Sequence, residues 1–179
     1  MHDALKRYIL VCLTVCTAIS YAHAQPKSLG TSFSLSGIGI AYEHHLDLEC
    51  FINAGLQAEM LPVFIDRTNS PGVSVAVSCN FIIKEWTSRN NNVISMFAGP
   101  GVTAGMAHDF RKDFGYFLGL KGRLGAECRF DRNISISFSL NPVIGSHVIL
   151  RDGYMEMKYY KIGLIDTLIP EICISYSFR

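Results

Sequence analysis

The chain has 179 residues, of which 49% are hydrophobic and 17% are charged, against about 25% charged residues in an ordinary soluble domain. Its 16 basic and 15 acidic residues nearly balance, which excludes the concentrated positive charge that nucleic-acid binding requires. After residue 24 the sequence holds no apolar run long enough for a membrane helix. An apolar, charge-poor chain of this kind favours a closed barrel in lipid.

The first 24 residues have the layout of a secretory signal peptide. A basic start precedes an apolar run over residues 8–20, which is too short to span a bilayer. Ala22-His23-Ala24 then provides a cleavage site of small residues. We therefore expect residues 1–24 to be removed and residues 25–179 to form a single domain.

Residues 114–130, FGYFLGLKGRLGAECRF, predict one long β-strand. With a period of two, Leu118 and Leu120 fall on an apolar row, whereas Lys121 and Arg123 fall on a row of glycines and charges. Successive side chains of a strand point to opposite faces, so this pattern separates cleanly in a strand. A helix would distribute the charges around its circumference.

The same alternation recurs more weakly along the chain and predicts about eight strands. A bulge is expected near Ser36-Gly37 and another at Pro100. Tyr160 and Ile162 are assigned to an apolar row. The other predicted strands lie at residues 33–46, 48–60, 73–83, 94–106 and 134–141, with two more between Pro142 and the end of the chain.

The composition of the polar rows predicts which face points outward. A soluble lipid-binding barrel also alternates, but with its apolar face inside and a charged exterior. Here the polar rows are mainly serine, glycine, threonine and asparagine, which suit the inside of a narrow barrel. The apolar rows carry no charge, as expected of a lipid-facing wall where Lys or Arg at the midplane costs about 2–4 kcal/mol.

Aromatic residues near the ends of the predicted strands are typical of the girdle at the two membrane interfaces. The predicted girdle residues are Tyr42, Phe81, Phe114, Tyr116, Phe130, Tyr160, Tyr176 and Phe178.

With the leader ending Ala22-His23-Ala24, the alternating strands and the closing IleCysIleSerTyrSerPhe, the chain resembles the small outer-membrane β-barrel proteins of Gram-negative bacteria, the eight-stranded OmpA/OmpX-like group. The resemblance implies an all-β, single antiparallel up-and-down transmembrane barrel, located in the outer membrane as a monomer within the lipid bilayer. It also implies that Tyr176 and Phe178 belong to a C-terminal signal read by the outer-membrane insertion machinery. Arg179 departs from the pattern, because the aromatic residue is usually last.

The resemblance further implies that both ends of the chain lie in the periplasm, so that the odd-numbered connections are the long outer loops. The predicted strands instead make the second, fourth and sixth connections as long as or longer than the odd-numbered ones, with the second at residues 62–72. Either the strand divisions around 62–72 and 142–158 are wrong, or the outer loops are unusually short.

Charges on the polar rows form a predicted network in the lumen. An eight-stranded barrel is just wide enough to be filled by side chains, and buried charges must be paired. The structural interpretation is a salt-bridge plug; the functional one is a narrow ion or small-solute channel with its constriction at Arg123 and Glu127. The predicted network comprises Glu43, Glu49, Glu59, Lys121, Arg123, Glu127, Arg129, Lys161 and Glu171.

Catalysis and metal binding are the weaker alternatives. Ser146-His147 and His108-Asp109 near strand ends could serve a barrel-embedded lipid-modifying enzyme, but adjacent strand residues point apart, and no lipase or acyltransferase motif is present. His44-His45 lacks a nearby third metal ligand. We expect neither a cofactor nor a metal.

Four cysteines follow the leader: Cys50, Cys79, Cys128 and Cys173. An exported protein can form disulfides, but no close spacing among these predicts a metal or redox site. A lipoprotein signal at Cys16 is disfavoured by the bulky residue before it.

The leading hypothesis is a non-enzymatic outer-membrane barrel that contributes envelope integrity or a surface for adhesion or recognition of an extracellular ligand that the sequence does not identify. The alternatives are a narrow channel, a lipid-modifying enzyme and a soluble periplasmic lipid-binding barrel.

Overall fold

The computed structural model describes residues 26–61, 63, 71–88, 91–108, 114–130, 133–151, 154–163 and 168–178, with the backbone alone at 150 and 151. The predicted signal peptide and Arg179 lie outside these residues. No helix in the described ranges is long and apolar enough to cross a membrane.

The described chain forms ten antiparallel strand segments in one sheet. They are β1 (Lys27–Ser34), β2 (Gly37–His45), β3 (Cys50–Glu59), β4 (Gly72–Thr87), β5 (Val93–His108), β6 (Phe114–Arg129), β7 (Ile134–Leu140), β8 (Val143–Arg151), β9 (Tyr154–Tyr159) and β10 (Pro170–Phe178).

Eight of these segments close into a ring, which confirms the predicted all-β antiparallel barrel. The ring runs β1, β2, β3, β4, β5, β6, β7 and β10, and closes where Lys27 of β1 lies opposite Phe178 of β10. Pro142 separates β7 from β8, because proline has no N–H to continue the ladder. β8 pairs with the first half of β6 and β7 with its second half, while β9 pairs with β8.

The two ends of the barrel differ in their connections. We call the end at which β1 begins and β10 finishes the terminal end, and the opposite end the distal end. The connection 46–49 lies at the terminal end, as do the ends of β4 and β6 and the starts of β5 and β7. The distal end carries the connection between β1 and β2, the ends of β3, β5 and β8, and the starts of β4, β6, β9 and β10.

The first predicted strand, 33–46, is wrong at its start. Leu35 and Ser36 form a tight connection between β1 and β2, in place of the predicted bulge. Ser34 supports this connection, since its Oγ accepts the N–H of Gly37 at 3.1 Å. The strand missing from the prediction explains the anomaly in loop order, because it makes the connection between β3 and β4 the third one, and β3 ends and β4 begins at the distal end.

The two faces of the wall have opposite character. Leu118, Leu120 and Leu124 are at least half exposed on the outside, with Leu120 at 69%. Arg123, on the other row of β6, is 3% exposed inside the barrel. Large apolar side chains thus cover the exterior, and serine, threonine and asparagine occupy much of the interior. This arrangement overturns the alternative of a soluble barrel that binds lipid inside.

Two local predictions are wrong. Pro100 causes no shift of register between β4 and β5; the irregularity lies between Ile82 and Lys84 of β4. Tyr160 and Ile162 do not face lipid, because the chain turns inward after β9 and buries both. The other seven predicted girdle aromatics are exposed on the outside.

Candidate functional site

A buried ion pair crosses the centre of the lumen. Arg123 on β6 donates from Nη1 to Oε1 of Glu43 on β2, at 3.1 Å. Four steps around the ring separate these two strands in either direction, so the pair joins opposite sides of the barrel. Glu43 also accepts hydrogen bonds from Asn53 Nδ2 at 3.0 Å and from Ser28 Oγ at 3.3 Å. Three donors therefore surround a single buried carboxylate, which compensates for its loss of hydration.

Aromatic rings pack beside this ion pair. The guanidinium carbon of Arg123 lies 5.0 Å from the ring centre of Phe97, a cation–π distance. Phe97 in turn meets Phe51 edge to face, with ring centres 5.3 Å apart. Gly125 makes room for these rings, because a Cβ there would lie 2.7 Å from Phe97 Cζ. The centre of the lumen is thus filled by two rings and an ion pair.

The terminal end forms a charged mouth. Arg129 Nε lies 3.4 Å from a carboxylate oxygen of Glu127, and its Nη2 lies 3.7 Å from Glu85. Arg129 and His45 both line two open cavities of about 610 and 560 Å³. Because Arg129 is partly exposed, water screens its ion pairs more than it screens the central pair.

The distal end is closed by apolar side chains. Tyr160 is 2% exposed and stacks on Phe117 of β6, with ring centres 4.5 Å apart and planes at 4°. The backbone holds Tyr160 in place, since its N–H donates to the carbonyl of Gly145 at 2.9 Å. Further members of this cluster, which we call the distal cluster, are Leu61, Ala107, Val143 and Ile162.

A small polar cavity of about 50 Å³ lies between the central ion pair and the distal cluster. Glu59, Lys121, Glu171 and Asn141 are among its lining residues, and Ser74 Oγ donates to the Glu59 carboxylate. The cavity has room for a few water molecules, which such polar walls would bind. The lumen therefore contains separate compartments rather than a continuous channel within the described residues.

Comparisons with known proteins bear on the fold alone. No protein-family model matches the sequence, and no curated protein matches it at a significant level. Among solved structures, the chain is similar to a major outer membrane protein from Thermus thermophilus, at 12% identity and a TM-score of 0.47, over 86% of this chain and 99% of that one. It is also similar to Ail, the attachment invasion locus protein of Yersinia pestis, at 10% identity and a TM-score of 0.30, over 86% of this chain and 95% of the other.

The wall decides the class of protein. A closed barrel leaves no strand edge to be hydrated, and an apolar exterior around a filled polar lumen is stable only in lipid. The protein is a small membrane-spanning β-barrel. Its function therefore has to be sought in the lumen, at the barrel ends or on the lipid-facing exterior.

The structure divides the nine predicted lumen charges into three groups. Glu43, Arg123, Glu127 and Arg129 lie between the barrel centre and the terminal mouth, and Glu59, Lys121 and Glu171 line the small distal cavity. Glu49 and Lys161 are corrections, because both are exposed rather than buried in the lumen; Glu49 lines the cavity of about 560 Å³ at the terminal mouth. Glu49 stands in the connection 46–49, and Lys161 follows the end of β9. Tyr176 and Phe178 are exposed on the outer face of β10, near its end.

Sequence reasoning missed the aromatic side chains that fill the lumen, although a signal for them was present. Phe51, Phe97 and Phe117 stand in the polar rows of their strands, and all three are buried in the lumen. An aromatic side chain out of phase with its row indicates an apolar contact on the inner face. This signal locates the aromatic residues but does not reveal Tyr160, which reaches the interior from a connecting segment.

The residues considered for catalysis do not assemble a nucleophile and base. His147 is fully buried in the lumen, where its ring stacks near Tyr160 and its Nε2 lies 3.1 Å from the carbonyl oxygen of Ala107. Ser146 precedes it on the same strand and points to the opposite face. Asp109 lies outside the described residues. Among those described, no three His, Cys, Asp or Glu side chains come close enough to hold a metal.

Proposed function

We propose that the protein is a non-enzymatic, non-conducting outer-membrane barrel that presents a recognition surface at its distal end and contributes to the integrity of the envelope. The observation that carries this proposal is the filling of the lumen. The Arg123–Glu43 pair joins opposite walls, and Tyr160 closes the distal end on Phe117. A plugged interior leaves the end surfaces and the outer wall as the parts that can engage other molecules.

The distal end offers an unusual exposed strand. β9 pairs with β8 along one edge, and no pairing to its other edge occurs among the described residues. Tyr154 is 80% exposed, and Met155 and Met157 are also mostly exposed. An open strand edge with flexible apolar side chains is suited to binding an extended segment of another protein. This feature supports recognition as the role of the distal end.

A narrow channel is the second candidate, and the open cavities of about 610 and 560 Å³ at the terminal mouth favour it. In this alternative, ions would enter the mouth and pass the Arg123–Glu43 pair when it opens. If the barrel is closed, as we propose, the Arg123–Glu43 pair instead stays formed and serves only to stabilise the structure. We also propose that the protein is a monomer and that Tyr176 and Phe178 are read by the outer-membrane insertion machinery.

Conductance of the purified, folded protein in planar lipid bilayers tests the closed lumen. The wild type should give no steady unitary currents at neutral pH. Steady wild-type currents whose size or ion selectivity changes when Arg123 and Glu43 are exchanged for Met and Gln would instead establish the channel. Tyr160→Ala should remain non-conducting as well, because the central pair still crosses the lumen in this variant.

Binding of intact expressing cells to host-protein or matrix-coated surfaces tests the recognition role. A Tyr154→Ser/Met155→Ser variant should lose most of the binding while keeping its heat-modifiable folded form on gels. Leu168→Ser, which removes an equally exposed apolar side chain outside β9, is the matched control. Equal binding by the wild type and the β9 variant would argue against recognition through β9.

A further inference from the structure

Two cysteines lie side by side on the outer wall near the terminal end. Cys50 is the first residue of β3, and Cys79 lies on the neighbouring strand β4. Their sulfur atoms are 3.5 Å apart. Cys50 is paired in register with Phe81 and Cys79 with Ile52, so the two cysteines are diagonal neighbours on the same face of the sheet.

The other two described cysteines have no such neighbour. Cys128 lies opposite Ile94 on one side and Ile136 on the other. Cys173 faces the interior, where it is 1% exposed between strands that place serines opposite it. Among the four described cysteines, Cys50 and Cys79 are therefore the pair whose sulfur atoms lie close together. Sequence spacing alone did not single out this pair.

We propose that Cys50 and Cys79 form a disulfide bond when the protein is exported. The sulfurs must approach from 3.5 Å to a bond length of about 2.05 Å, a movement that falls mainly on Cys50. Cys50 is well placed to move because it begins its strand, directly after the exposed connection 46–49. Export to the outer membrane takes the chain through a compartment in which disulfides form and persist.

The chemistry requires an oxidant, which we identify by class as the disulfide of an envelope thiol-oxidising protein. The thiolate of one cysteine attacks that disulfide, forms a mixed disulfide and releases one thiolate of the oxidant. The second cysteine, as its thiolate, then attacks the mixed disulfide and displaces the other sulfur of the oxidant. Two thiols of the barrel thus lose two protons and two electrons, and the oxidant is reduced to a dithiol.

The bond would close a covalent loop through the whole β3–β4 hairpin. Its position matters, because the connection between these strands lies at the opposite, distal end. The disulfide would therefore tie the hairpin at its open end, close to the backbone hydrogen bond that Ile82 N–H donates to the carbonyl of Glu49. Cross-linking of this kind restricts the unfolded chain and so raises resistance to unfolding.

Thiol mapping in native membranes tests the proposal. Outer membranes are denatured without reductant in excess N-ethylmaleimide, digested and examined by mass spectrometry. We expect one linked peptide pair containing Cys50 and Cys79, with Cys128 and Cys173 modified by the maleimide. Modification of both Cys50 and Cys79 in the unreduced protein, or a link from either of them to another cysteine, would overturn the proposal.

A stability measurement provides a second, independent readout. Dithiothreitol should lower the temperature at which the folded gel band of the wild type is lost, by several degrees. Cys128→Ser should show the same shift, whereas Cys50→Ser and Cys79→Ser should start at the lower temperature and not respond. A reductant effect of equal size in Cys50→Ser would show that the bond does not join this pair.

Discussion

The two halves of the lumen are filled in different ways. Toward the terminal end, the filling is ionic, with Arg123 and Glu43 joined across the barrel and Arg129 at an open mouth. Toward the distal end, beyond the small polar cavity, the filling is apolar, with Tyr160 stacked on Phe117. In the ionic half every partner is supplied by a strand of the wall. In the distal half the key side chain arrives from a segment that leaves the wall and turns inward.

This difference shows how a narrow barrel can exclude water by two routes. A buried ion pair specifies which strands face each other, because each charge requires its partner on the opposite wall. Stacked rings require only matching shapes and tolerate more variation in detail. We therefore expect the central pair to be the least replaceable part of the interior and the mouth to be the most replaceable.

The largest effect is expected from Arg123→Met. This change leaves the Glu43 carboxylate buried without its cation, which should destabilise the folded barrel by about 3–5 kcal/mol. Urea unfolding in detergent micelles, followed by the gel shift of the folded form, measures the loss. The double variant Arg123→Met/Glu43→Gln should recover most of it. A double variant as unstable as the single one would mean that packing, rather than charge pairing, dominates at this position.

Tyr160→Ala tests the apolar half and should cost about 2–3 kcal/mol, because it removes the ring that stacks on Phe117. Tyr160→Phe keeps the stacked ring and should lose much less. Unfolding in urea again gives the comparison, and limited proteolysis near residue 160 should speed up in Tyr160→Ala alone. Equal stability of the Ala and Phe variants would show that the distal cluster does not depend on this stack.

Gly125→Val probes the space beneath the rings of the ionic half. Its side chain would collide with Phe97 and with the carbonyl of Phe138, so we expect a loss of about 1–3 kcal/mol. Gly55→Val is the matched control, since a Cβ at Gly55 meets no atom closer than 3.6 Å. Thermal loss of the folded gel band should separate the two variants. Loss of the folded band at the same temperature in both variants would indicate that the side chains around Gly125 can move to accommodate the added valine.

The smallest effect is expected from Arg129→Ala at the mouth. Its ion pairs are 3.4 and 3.7 Å long and partly exposed, so their loss should cost less than about 1 kcal/mol. Raising the salt concentration should reduce even that difference between variant and wild type. A loss of stability as large as that of Arg123→Met would show that the ion pairs at the mouth contribute as much as the pair at the centre of the lumen.

Sequence reasoning predicted the wall well, because alternation is a local property. The strand at 114–130 and its two faces are confirmed by β6, where Leu120 is exposed and Arg123 is buried. The predicted presence of paired charges in the lumen also followed from local pattern and barrel size. The choice of partner did not, since Arg123 pairs with Glu43, which lies far away in sequence, and that pairing depends on the ring order and register of the strands.

The wrong predictions share a physical cause. In each, the sequence pattern that would have corrected the prediction was too short to recognise, or the outcome depended on distant parts of the chain. The connection at Leu35 and Ser36 is so tight that its sequence resembles a bulge within a single strand. Tyr160 and Ile162 keep an apolar alternation, but their direction depends on the chain leaving the wall after β9. Glu49 and Lys161 continue the polar rows beyond the points at which the strands end.

The pairing of β1 with β10 has a consequence for biogenesis. Since Leu29 aligns with Tyr176 and Phe33 with Ile172, the seam unites the earliest and the latest portions of the described polypeptide. A chain without β10 cannot close the barrel. Its sheet has two unpaired strand edges, which can pair with other chains and aggregate. We therefore expect an intermediate that lacks β10 to aggregate more readily than the closed barrel.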